Sequence, residues 1–226
     1  MDQENTRHPA EKQFRSLANA AFEAIEEMIV TRRLVPGAML SEADIAAELS
    51  MGRTPVREAL ARLAWIGFVE VHPRRGVQVS NADIIRQLEL LEVRLPLETS
   101  IARHAAERAT PTDLEELRSL AREMTEAAAE RNRDRYFRTK GTLHEVEVRA
   151  AYNHVLTQTM RSLHAQSRRF WFYEQPESFA EAAERHGAVV NQITDRNAEA
   201  AAAAVKDLFA FLQLQTKRTL DRRPTT

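Results

Sequence analysis

Residues 52–60 read Gly52-Arg53-Thr54-Pro55-Val56-Arg57-Glu58-Ala59-Leu60 and predict the start of a short helix. Proline is tolerated in the first turn of a helix, and glycine is an acceptable N-cap residue. Val56 and Leu60 are spaced to share one helix face, whereas Arg53 and Arg57, four residues apart, share another. The helix therefore has one apolar face for packing and one basic face.

The segments before this helix predict two more helices. An amphipathic helix is indicated by apolar residues at helical spacing between Leu17 and Met28, and Pro36-Gly37 is typical of a type II turn. Ser41 is placed to cap a second helix that runs to Leu49, with Asp44 three residues after the cap. The second and third helices are then joined by a tight turn.

The segments after this helix predict a β-hairpin. Gly67 ends the helix, and residues 68–72 and 77–80 are short runs in which valines alternate with other residues. The loop Pro73-Arg74-Arg75-Gly76 joins the two runs. The predicted order is three helices followed by a two-stranded wing, which is a winged helix-turn-helix over residues 15–80, after a polar tail at residues 1–14.

The rest of the chain predicts an all-α bundle. Four of the six glycines lie between residues 37 and 76, and the remainder has helical periodicity and strong caps such as the one at Thr110. We expect an antiparallel bundle over residues 81–222. It has six or seven helices, depending on whether Pro96 divides the first.

Composition excludes several classes of protein. The chain has 226 residues, a formal net charge of −1 and no cysteine, which removes disulfides, thiolate catalysis and cysteine-based metal sites. The polar N-terminus is unlike a signal peptide, and no apolar run is long enough to cross a bilayer, so we expect a cytoplasmic protein. The helical half has no complete His/Asp set and no glycine-rich phosphate loop, and an enzyme is therefore not expected. Residues 53–75 nevertheless contain five arginines against two acidic residues, a local excess typical of nucleic-acid binding.

The N-terminal motifs resemble the GntR superfamily of bacterial transcription regulators. The resemblance rests on Leu34-Val35-Pro36-Gly37, on Arg53–Leu60, and on Gly67-Phe68-Val69 followed by Arg74-Arg75-Gly76-Val77. It implies that double-stranded DNA is contacted by the following residues: Arg53, Thr54, Arg57, Arg74, Arg75 and Gly76. Because one such helix reads only a few base pairs, we expect a homodimer on a palindromic operator.

The C-terminal half resembles the helical FadR-type (FCD) domain of one GntR branch, which binds a small organic acid and in many members a divalent metal. The resemblance implies an effector site at Arg94, Lys140, His144, Asn153 and His186. Lys140 and Leu208 stand where that branch has an aspartate and a histidine, so we expect no bound metal. We expect the charge of Lys140 to replace that of the metal and to bind a carboxylate.

The expected function is that of a repressor whose operator binding is modulated by a carboxylate effector. The alternative is a constitutive DNA-binding dimer with a degenerate pocket. Other readings of single residues also stay open: Arg94 as an ion pair with Glu98, Lys140 reaching to the surface, and His144 and His186 as packed core residues. His164 is expected at the surface or at an interface.

Overall fold

The computed structural model describes residues 9–81, 83–174 and 178–221, without the side chains of residues 9–16, 173, 174, 220 and 221. Within these ranges the chain is mainly helical and divides into two compact units between residues 81 and 82. The described helices include none that is long and apolar enough to span a membrane.

The first unit is a winged helix-turn-helix, as predicted. Its elements are α1 (Pro9–Val30), β1 (Met39–Leu40), α2 (Glu42–Glu48), α3 (Arg53–Trp65), β2 (Val69–His72) and β3 (Gly76–Val79). Helix α1 begins within the segment that the sequence assigned to a polar tail, and residues 1–8 lie outside the described part. The Ser41 side chain accepts a hydrogen bond from Asp44 N, which confirms the predicted cap of α2.

The predicted two-stranded hairpin is present as β2 and β3, and a third strand, β1, which the sequence did not predict, extends its sheet. Strand β1 pairs antiparallel with β3, with Met39 opposite Gln78, and β2 pairs with the other side of β3, with His72 opposite Gly76. The Pro36-Gly37 turn delivers the chain to β1: Gly37 has a φ of 79°, and Ala38 N donates to Val35 O. This geometry agrees with the predicted type II turn.

The core of the first unit lies between α1, α3 and the sheet. Ile25 and Ile29 of α1 are fully buried, as are Leu63 of α3 and Phe68. Arg62 closes the edge of this core, because its guanidinium lies over the Phe22 ring and donates to Asn19. The apolar face of α3 is therefore committed to packing, and its opposite face is left for other contacts.

The second unit consists of six described helices. They are α4 (Ile84–Arg108), α5 (Pro111–Ala129), α6 (Arg133–Ala150), α7 (His154–Glu174), α8 (Phe179–Thr194) and α9 (Ala198–Asp221). Pro96 lies inside α4 without dividing it. Of the two expected helix counts, six and seven, six is therefore correct for the described residues. Thr110 and Asp113 form a reciprocal capping box at the start of α5, as the sequence predicted.

The six helices enclose one large apolar core. Helix α4 packs against α9, and α5 packs against α6 and α8. Large buried side chains from several helices meet there, among them Leu91, Leu117, Phe170 and Phe209. A group of buried charged and imidazole side chains interrupts this core between α4, α6, α7 and α8. Such groups are expensive to bury, so their location marks the candidate site of this unit.

Candidate functional site

The first turn of α3 presents polar side chains to solvent. Arg53 and Thr54 are exposed, whereas Pro55 and Val56 are buried. Gly52 at the N-cap contributes no side-chain hydrogen bond, so backbone N–H groups at this end of the helix remain available. An exposed helix N-terminus with arginine beside it attracts phosphate and can bring side chains to base edges.

Arg57 is oriented by a residue of the preceding helix. Its Nε and Nη2 donate to Glu42 Oε2 at 3.0 and 2.9 Å, and the Arg57 side chain is still 67% exposed. The hydrogen bonds and charge of Glu42 raise the pKa of Arg57, so the guanidinium stays charged. Sequence analysis did not identify Glu42, because a contact between residues 15 positions apart on two helices has no local signature.

The wing loop is exposed and held by backbone geometry. Arg74 and Gly76 adopt positive φ angles of 66° and 103°, and Arg75 N donates to His72 O. Arg74, Arg75 and Gly76 are all exposed. Gln78 on β3 bonds both the His72 ring and the backbone carbonyl of Gly37, which joins the wing to the preceding turn. The loop thus projects two guanidinium groups from a fixed base.

A cavity lies among α4, α6, α8 and α9 of the second unit. It encloses about 420 Å³ of space between atoms, counting its opening to solvent. Four of the five predicted effector residues line it: Arg94, Lys140, His144 and His186. The cavity is otherwise mostly apolar, with Leu208 and Phe209 among its lining residues.

Asn153, the fifth predicted effector residue, is not among the residues that line the cavity. Its side-chain oxygen accepts hydrogen bonds from Val155 N and Leu156 N at the start of α7. Asparagine is a favoured residue at this position, because its side chain satisfies backbone donors that have no partner within the helix. Asn153 therefore positions α7.

Helix α6 supplies one face of the cavity. Lys140, His144 and Glu147 follow at intervals of four and three residues, which places them one above another on the same side of the helix. All three are buried and line the cavity. Lys140 is only 6% exposed, so the alternative in which it reaches the surface is wrong.

Arg94 is ion-paired with Glu98, which was one of the open alternatives. Both side chains belong to α4, and Arg94 Nη2 lies 2.7 Å from Glu98 Oε1. Burial alone would raise the pKa of Glu98, but hydrogen bonds and charges from His164 and Arg94 hold it well below its usual range. The pair is therefore ionised, and the positive charge of Arg94 is balanced locally.

Three imidazoles lie beside this pair. The His144 ring stacks on that of His164 with 4.3 Å between centroids, and it lies 5.5 Å from that of His186. His164 also lies 2.7 Å from Glu98 Oε1 and its side chain is only 12% exposed, so it is not the exposed surface residue that was one of the expectations. Burial lowers the pKa of all three, and nearby positive charges lower that of His144 further. His186 Nε2 is buried and has no hydrogen-bond partner in the described part of the chain.

Lys140 and Glu147 are the titratable groups of the cavity that change charge near neutral pH. Burial and the charge of Arg94 lower the pKa of Lys140 to about 7, against opposing effects of Glu98 and Glu147. Burial and the charge of Glu98 raise the pKa of Glu147 to about 8. Near pH 7, Glu147 is therefore shifted toward its protonated form and Lys140 toward its neutral form.

Lys140 has no hydrogen bond or ion pair with any residue in the described ranges. It also lines a second, smaller cavity with aromatic walls that include Tyr136, Phe137 and Phe179. Trp171 lines the same space, and its buried Nε1 lacks a partner among the described residues. Lys140 therefore lines both the first cavity and this smaller, aromatic one.

The residues present do not fit a divalent metal. Lys140 and Leu208 line the cavity beside His144 and His186, so the four family positions do converge, but only two of them carry imidazoles. An ammonium group and an aliphatic chain are not metal ligands, and structural zinc sites need about four donors. In the described ranges, no group of three or more His, Asp or Glu residues is arranged to hold a metal.

Comparison with known families identifies both units. Residues 17–79 match the bacterial regulatory proteins of the gntR family, and residues 89–211 match the FCD domain. The first match contains all six predicted DNA contacts, and the second contains every residue that lines the cavity except Leu212.

Individual relatives agree with these matches. The Nta operon transcriptional regulator of Aminobacter aminovorans is 30% identical over 79% of this chain and 84% of its own length. The HTH-type transcriptional repressor RspR of Escherichia coli K12 is 25% identical over 64% of this chain and 63% of its own length. The solved structure of E. coli McbR/YncC has the same fold, with a TM-score of 0.79 at 21% identity, over 90% of this chain and 98% of that one.

Proposed function

This chain belongs to the GntR family of bacterial transcriptional regulators, in the branch with an FCD domain, and we propose that it represses its operator until a small carboxylate binds in the FCD cavity. Like its relatives, it is a transcriptional regulator and not an enzyme. The proposal that the protein represses transcription is supported by the name of one relative, the transcriptional repressor RspR.

In this proposal the first unit binds the major groove through α3 and the flanking backbone through the wing. Arg53 and Arg57 read base edges, since the arginine fork fits the O6 and N7 acceptors of guanine. Arg74, Arg75 and Gly76 contact phosphates or the minor groove, and Thr54 contacts phosphate or a thymine methyl. A homodimer presents two such units to a palindromic operator in the cytoplasm.

The observation that carries the effector proposal is the buried, unpartnered ammonium of Lys140 in an otherwise charge-balanced cavity. Arg94 is ion-paired with Glu98, burial lowers the pKa of the three imidazoles, and the pKa of Glu147 is raised to about 8. A carboxylate that enters this space forms a charge-assisted bond with Lys140 and gives His186 Nε2 the partner that it lacks. The anion also raises the pKa of Lys140, so binding takes up protons near pH 7.

The test combines ligand binding with operator binding. An operator is first selected from random duplex DNA, and its affinity is measured by fluorescence anisotropy with and without a panel of small mono- and dicarboxylic acids. We expect at least one acid to raise the melting temperature and to weaken operator binding in the wild-type protein. Calorimetry in two buffers of different ionisation enthalpy measures the proton uptake.

Variants separate the cavity from the surface. Lys140→Met removes the ammonium, and Lys206→Met is the matched control, because Lys206 is exposed on α9. We expect the acid response to be lost in the first variant and kept in the second. If no acid changes either the melting temperature or operator affinity, the protein is the constitutive DNA-binding dimer that the sequence also allowed.

A further inference from the structure

The amine of Lys140 is buried, lines a cavity and has no partner among the described residues. We propose that it is a covalent capture site: Lys140 Nζ forms a reversible imine with the carbonyl carbon of a 2-oxo acid. The inference rests on the proposed function, since the carboxylate must first enter this cavity. It adds that the site distinguishes 2-oxo acids from the 2-hydroxy acids of the same carbon skeleton.

The placement of Lys140 differs from that of ordinary lysines. The chain has four lysines, at positions 12, 140, 206 and 217. Lys206 and Lys217 on α9 are exposed, whereas Lys140 is buried against apolar and imidazole groups. An exposed ammonium is stabilised by water, but a buried one without a counter-ion loses that stabilisation and favours the neutral, nucleophilic amine.

Burial favours this neutral state, and the charged groups around the amine act in both directions. Positive charge comes from Arg94 on α4, and its partner Glu98 opposes that effect. The other titratable groups that line or adjoin the cavity are His144 and Glu147 on α6, His164 on α7 and His186 on α8. Since Glu147 is largely protonated at neutral pH, it does not hold Lys140 as an ammonium by forming a full ion pair.

Groups already in the cavity supply every proton that imine formation needs. The nitrogen lone pair of Lys140 attacks the carbonyl carbon, and one amine proton moves to the carbonyl oxygen to give a carbinolamine. Protonated Glu147, two helical turns from Lys140 on the same face of α6, then donates its proton to the departing hydroxyl group. The products are a protonated imine, one water molecule and the Glu147 carboxylate. The new cation and the new anion stabilise each other, and no oxidant, reductant or metal is needed.

The test is reductive trapping on the full-length wild-type protein. Glyoxylate, pyruvate and phenylpyruvate are each incubated with the protein and cyanoborohydride near pH 7, and modified lysines are located by peptide mass spectrometry. We expect Lys140 to be labelled more than about tenfold faster than Lys206, because burial lowers the pKa of Lys140 and so enriches its neutral, nucleophilic form. Phenylpyruvate is included because aromatic side chains line the second cavity beside Lys140.

Controls separate covalent capture from simple binding. Lactate, which lacks the carbonyl group, must give no adduct, and Lys140→Arg keeps a positive charge but must lose the adduct. Lys140→Met is measured beside it, in case the longer arginine disturbs packing. The labelling ratio within the wild-type protein does not depend on how either variant folds.

The outcomes distinguish this inference from the proposed function. If lactate and pyruvate raise the melting temperature alike and Lys140 is labelled no faster than Lys206 by all three 2-oxo acids, covalent capture is overturned and carboxylate binding stands. If 2-oxo acids label Lys140 selectively and the labelled protein has altered operator affinity, both proposals are supported. If no acid of either kind stabilises the protein or labels Lys140, both fail.

Discussion

Replacing Lys140 by methionine is expected to make the second unit more stable. The wild-type protein buries an amine that is protonated in the unfolded chain, and folding must either remove its proton or bury its charge. A pKa that falls from 10.5 to about 7 makes folding less favourable by roughly 4 kcal/mol at pH 7. Methionine has a similar length and no charge, so we expect a gain of about 1–4 kcal/mol, the range found when buried charges are replaced by apolar groups.

The pH dependence gives this prediction its sign. Between pH 7 and 10.5 the unfolded chain binds more protons at Lys140 than the folded protein does, so wild-type stability rises with pH through this window. Glu147 acts in the opposite direction between pH 4.5 and 8, where the folded protein binds the extra proton and stability falls as pH rises. Lys140→Met is expected to abolish the rise above about pH 8 and to keep the fall below it.

The assay is urea denaturation of wild type, Lys140→Met and the control Lys206→Met, followed by tryptophan fluorescence. The chain has two tryptophans, and Trp171 in the second unit is 3% exposed whereas Trp65 in the first is 91% exposed. A Trp65→Phe background therefore makes the signal specific to the unit that contains Lys140. The reasoning is refuted if Lys140→Met is less stable than wild type at pH 7, or if the rise above pH 8 persists in the variant.

Three further predictions concern the DNA-binding surface and the buried ion pair. Arg53→Ala is expected to lose about 1–3 kcal/mol of discrimination at one base pair. Arg75→Ala is expected to weaken binding to all DNA sequences alike and to lower the slope of log affinity against log salt concentration by about one. Anisotropy titrations over a salt series measure both effects, and unchanged affinities would contradict the proposed docking. Glu42→Gln releases the guanidinium that it holds on α3 and removes a negative charge, so we expect higher affinity for random duplex and a smaller ratio of operator to random affinity in competition titrations. Arg94→Met leaves Glu98 buried without the guanidinium of Arg94, so we expect a loss of about 3–5 kcal/mol in the free energy of unfolding, measured by urea denaturation. The double variant Arg94→Met, Glu98→Leu is expected to recover most of this loss. Equal losses in both variants would show that the broken ion pair does not cause the destabilisation.

The helices could be predicted from sequence because their signals are local. Caps such as Ser41 and Thr110 and the apolar periodicity between them fix where a helix begins and which face is buried. Strand β1 could not be predicted in this way, because two residues show no alternation. Its existence depends on pairing with β3, about 40 residues further along the chain.

Arg94, Lys140, His144 and His186 could be predicted from the resemblance to the FCD domain, and the face that α6 contributes follows from spacing. Lys140 and His144 share a face of α6 because of their spacing, and Glu147, which sequence analysis did not single out, shares that face for the same reason. His164 was misplaced because its burial depends on Glu98, a residue of another helix 66 positions away. Asn153 caps α7 and does not line the cavity, because a family match by spacing does not separate a ligand contact from a helix cap.

The stability effect and the proposed ligand response have one physical origin. Burying the amine alone is costly, but its burial becomes favourable once an anion or an imine partner occupies the cavity. The free-energy cost in the ligand-free unit therefore limits how far a ligand can stabilise that unit. A divalent metal at this position would keep its charge in both states, whereas in our proposal Lys140 changes charge when the ligand binds. Lysine in place of aspartate thus couples occupancy of the cavity directly to the stability of the helices that form it, and a two-state response of the unit needs such a coupling.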